Sequence, residues 1–215
     1  MDQRLYSREQ NAIQKQAAFH CAQVLAGVKA SNILITTEGT EEDVAFVLRG
    51  TGVDCKCLWA GEGRTVYLLY RREQTEKILK SRETRSFFQG FGYSSMELSK
   101  ALSGLAARYG LYAEGKGEFP HEIGLILEYP IWDVKGFIEH KGRDFLFSGY
   151  WKVYREPEEA RKRFAVYTAV RERVVKEAER GKSLGQICAS LLGQPVYSLT
   201  PRDMVKAESS LDKEY

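Results

Sequence analysis

The chain has no long apolar run, few cysteines and histidines, and little excess charge. Its 215 residues include four cysteines and three histidines, and its formal net charge is +3. No run approaches the roughly 18 apolar residues that a membrane span requires, and residues 1–19 lack the apolar core of a signal peptide. We therefore expect a cytoplasmic protein with free thiols and no membrane partner.

The same scarcities limit partners and cofactors. A dedicated nucleic-acid binder concentrates more positive charge than +3, so nucleic acid is not favoured as a partner. With three histidines, a closed histidine-rich metal centre needs carboxylates as additional ligands. Cys55 and Cys57 alternate within a strand pattern, but no second cysteine pair completes a zinc site. These few cysteines and histidines still allow one cofactor, a haem or an iron ion held by a single cysteine or histidine.

What is present is the composition of a globular protein, 43% hydrophobic and 28% charged. A short apolar strand at 32–36 and a hairpin pattern around the turn at 60–63 are dispersed among helical segments. Because a hairpin is antiparallel, we predict an α+β fold with a small, mainly antiparallel sheet surrounded by helices. We expect one domain over residues 1–195 and a loosely ordered polar tail over 196–215.

Helix boundaries follow from capping residues. Thr40, with acidic residues after it, and Ser183 are each expected to cap a helix. Prolines at 120 and 130 suit first helical turns, which predicts helices over 121–128 and 131–141.

Three blocks carry a family resemblance, namely HCAQVLAGVKASNIL at 20–34, FPHEIGLILEYPIWDVKGFIEHKG at 119–142 and GYWKVY at 149–154. Together they resemble an uncharacterised bacterial domain-of-unknown-function family that occurs mostly in anaerobes. The likeness spans about residues 15–190 and implies no known reaction. The resemblance also implies a flavodoxin-like redox partner and a link to ferrous iron, because genes of this family accompany flavodoxin and ferrous-iron uptake genes.

The first functional interpretation is a small-molecule enzyme or redox-linked protein. If a helix restarts at Cys21, its sulfur lies near unbonded backbone N–H groups, and His20 adds positive charge, so thiolate is favoured. His121 would carry protons, with Glu122 orienting its ring. The structural alternative makes Cys21 a small buried side chain on a continuous helix, with Glu122 facing away from His121.

Two other interpretations stay open. Cys21 and the histidines His20, His121 and His140 could bind iron or haem in a sensing protein. Alternatively, residues 121–141 form a helix-turn-helix that reads nucleic acid. The second helix would then expose Asp133 and Glu139 beside one lysine, and this excess of acidic side chains repels a duplex. In the structural alternative, the apolar residues of this helix pack in the core, namely Ile131, Val134, Phe137 and Ile138.

Further polar residues are candidate contacts to a small-molecule ligand. Lys29 and Asn32 lie between a helix and a strand, where they contact a ligand or cap the helix end. Alternation places Tyr150, Lys152 and Tyr154 on one strand face, which could stack on a flat ligand and pair with its anionic group. We expect the site between the segments 20–32 and 121–133, the second of which ends at Asp133.

Overall fold

The computed structural model describes residues 7–192. The C-terminal tail predicted over 196–215 lies outside these residues. The elements follow in chain order: α1 Arg8–His20, α2 Ala22–Leu25, β1 Ser31–Thr36, α3 Glu41–Val47, β2 Asp54–Gly61, β3 Arg64–Tyr70, α4 Arg72–Lys80, α5 Arg82–Gln89, α6 Leu98–Ala113, α7 Ile123–Ile126, α8 Ile131–Glu139, β4 Phe147–Ser148, β5 Lys152–Val153, α9 Pro157–Glu179 and α10 Leu184–Leu192.

Side-chain caps set the start of several helices. Thr40 accepts a hydrogen bond from the backbone N–H of Asp43, whose carboxylate accepts one from the N–H of Thr40. Ser7 and Gln10 form the same reciprocal pair at the start of α1. The hydroxyl of Ser183 accepts from the N–H of Gln186. The two caps predicted from sequence, at Thr40 and Ser183, are therefore confirmed.

The main sheet has three antiparallel strands in the order β1-β3-β2. Strands β2 and β3 form the predicted hairpin, whose turn places Glu62 and Gly63 at positive φ. Glycine adopts this conformation without the steric cost that a Cβ imposes. With ten helices among residues 7–192, this sheet and a second two-stranded one confirm the α+β fold.

Helices cover both faces of the main sheet because its strands alternate apolar side chains between two cores. Leu34, Tyr67 and Leu69 contribute to one core, with α1, α2, α9 and α10. Leu58 and Leu68 point to the other face and pack with α4 to α7. The sheet is thus the middle of three layers.

The second sheet is the short hairpin β4–β5, in which Phe147 pairs with Val153. It packs on α9, where the Phe164 ring lies so close to Gly149 that any Cβ at this position would collide with the ring. This hairpin also faces α8, and the candidate site lies between the two.

Two expectations about the 121–141 segment are wrong. The helix predicted over 121–128 shortens to one turn, Ile123–Ile126. Phe137 and Ile138 were expected in the core, but each is 36% exposed. Val134 is buried as predicted, so α8 uses a narrower apolar face than its sequence indicates. Within residues 7–192, no helix is both long enough and apolar enough to cross a membrane.

Candidate functional site

Cys21 lies at the junction between α1 and α2, where its φ of −116° and ψ of 17° interrupt the helix. Its side chain is fully buried, and Sγ donates a weak hydrogen bond to the carbonyl oxygen of Ile33 at 3.6 Å. Burial raises the pKa of this thiol to about 12. This shift is opposite to the one that a reactive thiolate needs, because an apolar environment disfavours the charged form.

His20 does not join a site around this thiol. Its side chain is exposed, and its ring packs edge-on against Phe19 with centroids 5.0 Å apart. Burial of part of the ring and the nearby charge of Arg171 lower its pKa. The backbone carbonyl of His20 accepts a hydrogen bond from the Asn32 side chain. This bond joins the end of α1 to β1 and gives Asn32 a structural role.

Lys29 is the point where the two predicted site segments meet. Its ammonium is buried, donates to Asn32 Oδ1 at 3.3 Å and lies 5.4 Å from the ring centre of Tyr129. The Glu128 carboxylate nearby accepts from the N–H of Ala30 at 2.5 Å. Burial lowers the pKa of Lys29 to about 8, although Glu128 acts in the opposite direction. Segments 20–32 and 121–133 therefore do touch, through the Ala30–Glu128 hydrogen bond and one from the Ser31 hydroxyl to the carbonyl oxygen of Ile126. Cys21 and His121 take no part in these contacts.

Glu122 turns away from His121. Its carboxylate is fully buried and accepts from Arg108 Nε at 2.5 Å and from the Tyr93 hydroxyl at 2.9 Å. Burial and this carboxylate raise the pKa of Tyr93. The expected Glu122–His121 orienting bond is not formed, because adjacent residues here point to different sides. Glu122 instead joins the 121–126 turn to α6.

The His121 ring is half-buried between aromatic side chains. Its centroid lies 5.3 Å from that of Phe119 and 5.7 Å from that of Phe137. Partial burial lowers its pKa, and the nearby carboxylates of Glu122 and Glu118 oppose that shift. Among residues 7–192, no side chain or backbone group hydrogen-bonds to this ring. His121 is thus a neutral, accessible donor and acceptor near pH 7.

Asp133 is buried, which corrects the expectation that α8 exposes it. Its carboxylate accepts three hydrogen bonds, from Trp151 Nε1 at 2.8 Å and from the backbone N–H groups of Tyr154 and Arg155 at 2.8 and 3.1 Å. These bonds replace the water that the charge loses on burial. Asp133 thereby fixes the first turn of α8 to the β4–β5 hairpin and the residues after it.

A cavity of about 330 Å³ lies between α7, α8 and this hairpin. Its wall is mainly apolar, and three residues predicted from sequence line it together: His121, Asp133 and Lys152. The Lys152 ammonium donates to the carbonyl oxygen of Gly142 at 2.7 Å. Since both carboxylate oxygens of Asp133 already accept hydrogen bonds from within the protein, the His121 ring and the Lys152 ammonium are the groups best placed to bind a polar part of a ligand. Aromatic side chains supply much of the remaining wall: Phe119, Tyr129, Phe137 and Trp151.

Tyr150 and Tyr154 do not line the cavity with Lys152, so the three side chains do not meet at one ligand site. The β5 strand covers only Lys152 and Val153, too short for alternation from 150 to 154. The Tyr150 hydroxyl lies 3.2 Å from Thr168 Oγ1 on α9. The Tyr154 ring stacks on His140 at 5.5 Å.

Two other predicted arrangements receive no geometric support. The four residues of α7 are all buried, so the 121–141 segment lacks an exposed first helix of the helix-turn-helix type. No group of three or more His, Cys, Asp or Glu side chains within residues 7–192 is arranged to hold a metal ion.

Sequence reasoning missed the aromatic part of the site. Phe119, Tyr129 and Phe137 lie in the 119–142 block, and Trp151 lies beside Lys152, but none of the four was predicted as a site residue. The available signal was the density of rings beside His121 and Lys152. Periodicity gave no sign of it, because the cavity wall combines residues of α7, α8, irregular backbone and a two-residue strand that only the tertiary fold brings together.

The fold and this cavity define an α+β protein with a three-layer core and a candidate ligand site beside its second hairpin. Residues 17–188 match the family described as protein of unknown function (DUF3793), and the chain belongs to that family. The resemblance to a domain-of-unknown-function family is thereby confirmed. No curated protein and no solved structure matches the chain.

Proposed function

We propose that this protein binds a small organic acid in the cavity between α8 and the β4–β5 hairpin. The single observation that carries the proposal is a preformed aromatic cavity with an ammonium group and a neutral imidazole on its wall. Ligand sites in proteins are commonly apolar hollows of about 300–1,000 Å³ with a few polar groups that orient the ligand. The ligand's flat body would pack on the rings, and its anionic group would pair with Lys152.

His121 is the group suited to carry a proton in such a site. A ring that is neutral near pH 7 takes up a proton from water when an anionic group binds beside it and returns that proton when the ligand leaves, which keeps the proton-carrier role in the proposal. The Cys21 thiolate is not part of it, because its sulfur is sealed in the core with a raised pKa. The small-molecule function is thus proposed at a different pair of residues, His121 and Lys152.

The fluorescent aromatic acid 8-anilinonaphthalene-1-sulfonate is a suitable probe. We expect one saturable site with a dissociation constant of about 30 μM, from roughly 0.3 kcal/mol per non-hydrogen atom. Lys152→Gln should weaken binding about tenfold because it removes the charge-assisted contact. Lys135→Gln, an exposed lysine on α8, is the matched control and should leave binding unchanged.

Ser148→Leu tests the location directly, since Ser148 lines the cavity and a larger apolar side chain would fill it. This variant should abolish the saturable component while far-UV circular dichroism stays as in the wild type. Equal binding by the wild type, Lys152→Gln and Ser148→Leu would place the probe elsewhere and remove the proposal.

A further inference from the structure

The most exposed large apolar side chain of residues 7–192 is Leu146, and three of the other exposed ones, Phe137, Ile138 and Phe145, lie within nine residues of it. Leu146 is 59% exposed and its neighbour Phe145 is 39% exposed, immediately after the turn that ends α8. Ile138, in the last turn of α8, adds a third exposed apolar side chain. Clustered apolar exposure of this kind marks a contact surface more often than isolated exposure does. Residues 140–146 are named the 140–146 loop below.

The loop is held in one shape rather than left free. The N–H of Gly142 donates to the carbonyl oxygen of Phe137 at 2.8 Å, and the N–H of Leu146 donates to that of Val153 at 2.8 Å. Lys141 and Asp144 both have positive φ, which is uncommon for residues with a Cβ. An ordered backbone therefore presents Phe145 and Leu146 to the outside at a conformational cost.

Cations lie on the same loop. Lys141 and Arg143 are exposed, and neither forms an ion pair with another residue in 7–192. Lys152 lies beneath the loop, with its ammonium 4.8 Å from the ring centre of Phe145. The acids of this region are Asp144, whose Oδ2 lies 3.5 Å from His140 Nδ1, and Glu139 at the end of α8. Lys141, Arg143 and Lys152 therefore stand against these two acids, which leaves the region with a net charge of +1.

We propose that the 140–146 loop docks on an anionic lipid surface. Phe145 and Leu146 would enter the boundary between headgroups and acyl chains, and Lys141 and Arg143 would lie at the level of the lipid phosphates. Such an interface binds apolar side chains flanked by lysine and arginine. The burial of apolar area and the attraction to negative headgroups both contribute to the free energy of binding. The contact is peripheral, so it departs from the expectation of no membrane partner without requiring a spanning helix.

This surface goes beyond the proposed small-molecule function and can be tested apart from it. The full chain is mixed with vesicles of phosphatidylcholine containing about one third phosphatidylglycerol and sedimented at low salt. We expect binding that falls at least about tenfold in Phe145→Ser/Leu146→Ser. Binding by Lys141→Gln/Arg143→Gln should fall several-fold and lose most of its salt dependence.

Ile35→Ser is the matched control, because Ile35 is 47% exposed but lies on β1. It removes one exposed apolar side chain away from the loop and should bind vesicles as the wild type does. All the substituted side chains are exposed, so thermal unfolding should stay within a few degrees of the wild type.

Two results would overturn the proposal. One is a wild-type chain that does not sediment with anionic vesicles. The other is equal binding by the Phe145→Ser/Leu146→Ser variant. If, in addition, sedimentation velocity shows a dimer that this variant loses, the loop contacts a second copy of the chain and not lipid. Probe binding in the cavity by the Lys141→Gln/Arg143→Gln variant should persist, which separates failure here from failure of the small-molecule proposal.

Discussion

The surroundings of Cys21 and of His121 differ in what holds them together. Cys21 is enclosed by apolar side chains from α1, α2, α9 and the main sheet, and its sulfur makes only a weak hydrogen bond. The His121 region is held by two buried carboxylates, Glu122 and Asp133, whose donors come from distant parts of the chain. The close-packed apolar side chains around Cys21 leave no room for a ligand, whereas hydrogen bonds to buried carboxylates can hold a cavity open. We therefore expect any ligand to bind in the His121 region.

The largest expected effect concerns the accessibility of Cys21. At pH 8, alkylation of Cys21 by iodoacetamide in the folded protein should be at least about 1,000-fold slower than in the urea-unfolded chain. The reason is that burial raises its pKa to about 12 and also blocks the reagent. Mass spectrometry of peptides after timed labelling measures the rate.

Cys57, which is partly exposed on β2, serves as the internal control and should react first in the folded state. Rapid labelling of native Cys21 with a midpoint below pH 8 would restore the thiolate hypothesis and abolish the contrast between the two regions.

Asp133→Ala should show how strongly the cavity side depends on one carboxylate. We expect a loss of about 4 kcal/mol in the free energy of unfolding, because three buried donors lose their acceptor. Urea denaturation followed by circular dichroism measures it. Glu139→Ala, which removes an exposed acid from the same helix, should change stability by less than about 0.5 kcal/mol. A similar small loss in both variants would mean that Asp133 does not fasten the cavity wall.

Lys29 lies between the two regions and should make stability depend on pH. Its folded pKa, about 8, is below its ordinary value of 10.5, so between these values the unfolded chain binds more protons than the folded one. The free energy of unfolding should therefore rise with pH across that window, by about 3 kcal/mol from this group.

The measurement is the free energy of unfolding of the wild type minus that of Lys29→Met, because the subtraction cancels the other groups that titrate at high pH. That difference should rise between pH 8 and 10.5 and be flat below pH 7. A difference that stays constant across the whole range would show that Lys29 is charged in the folded protein throughout.

The smallest effect concerns the imidazole. The His121 proton resonance should titrate with a midpoint below 6.5, because partial burial lowers its pKa. Saturation with 8-anilinonaphthalene-1-sulfonate should move the midpoint upward by less than about one unit, since a nearby anion favours the charged ring. The signal is assigned by its loss in His121→Gln. An unchanged midpoint would place the anion away from His121.

Local signals predicted the fold well because caps and turns act over a few residues. Thr40, Ser183 and the turn at 60–63 needed no knowledge of distant packing. The position of Asp133 could not be predicted in this way, because its principal side-chain donor, Trp151, lies 18 residues further along the chain. Cys21 shows the same limit, since the sequence left open whether it is a thiolate at a helix start or a small buried side chain, and its enclosure by α9 and the sheet depends on tertiary packing.

The residues of the candidate site could be predicted only in part from the sequence. His121, Asp133 and Lys152 were singled out and do line one cavity, whereas Tyr150 and Tyr154 do not. Alternation was applied over the five residues 150–154, but the strand found there has two. Side-chain direction in irregular backbone depends on tertiary contacts, so sequence periodicity gives no information there.

The three hydrogen bonds of Asp133 have a kinetic consequence. Because they join the start of α8 to the hairpin, the hollow beside His121 is open before any molecule enters it. Entry then requires no slow backbone rearrangement, so different compounds should arrive at similar rates and differ mainly in how long they remain. Discrimination between ligands would be a matter of residence time.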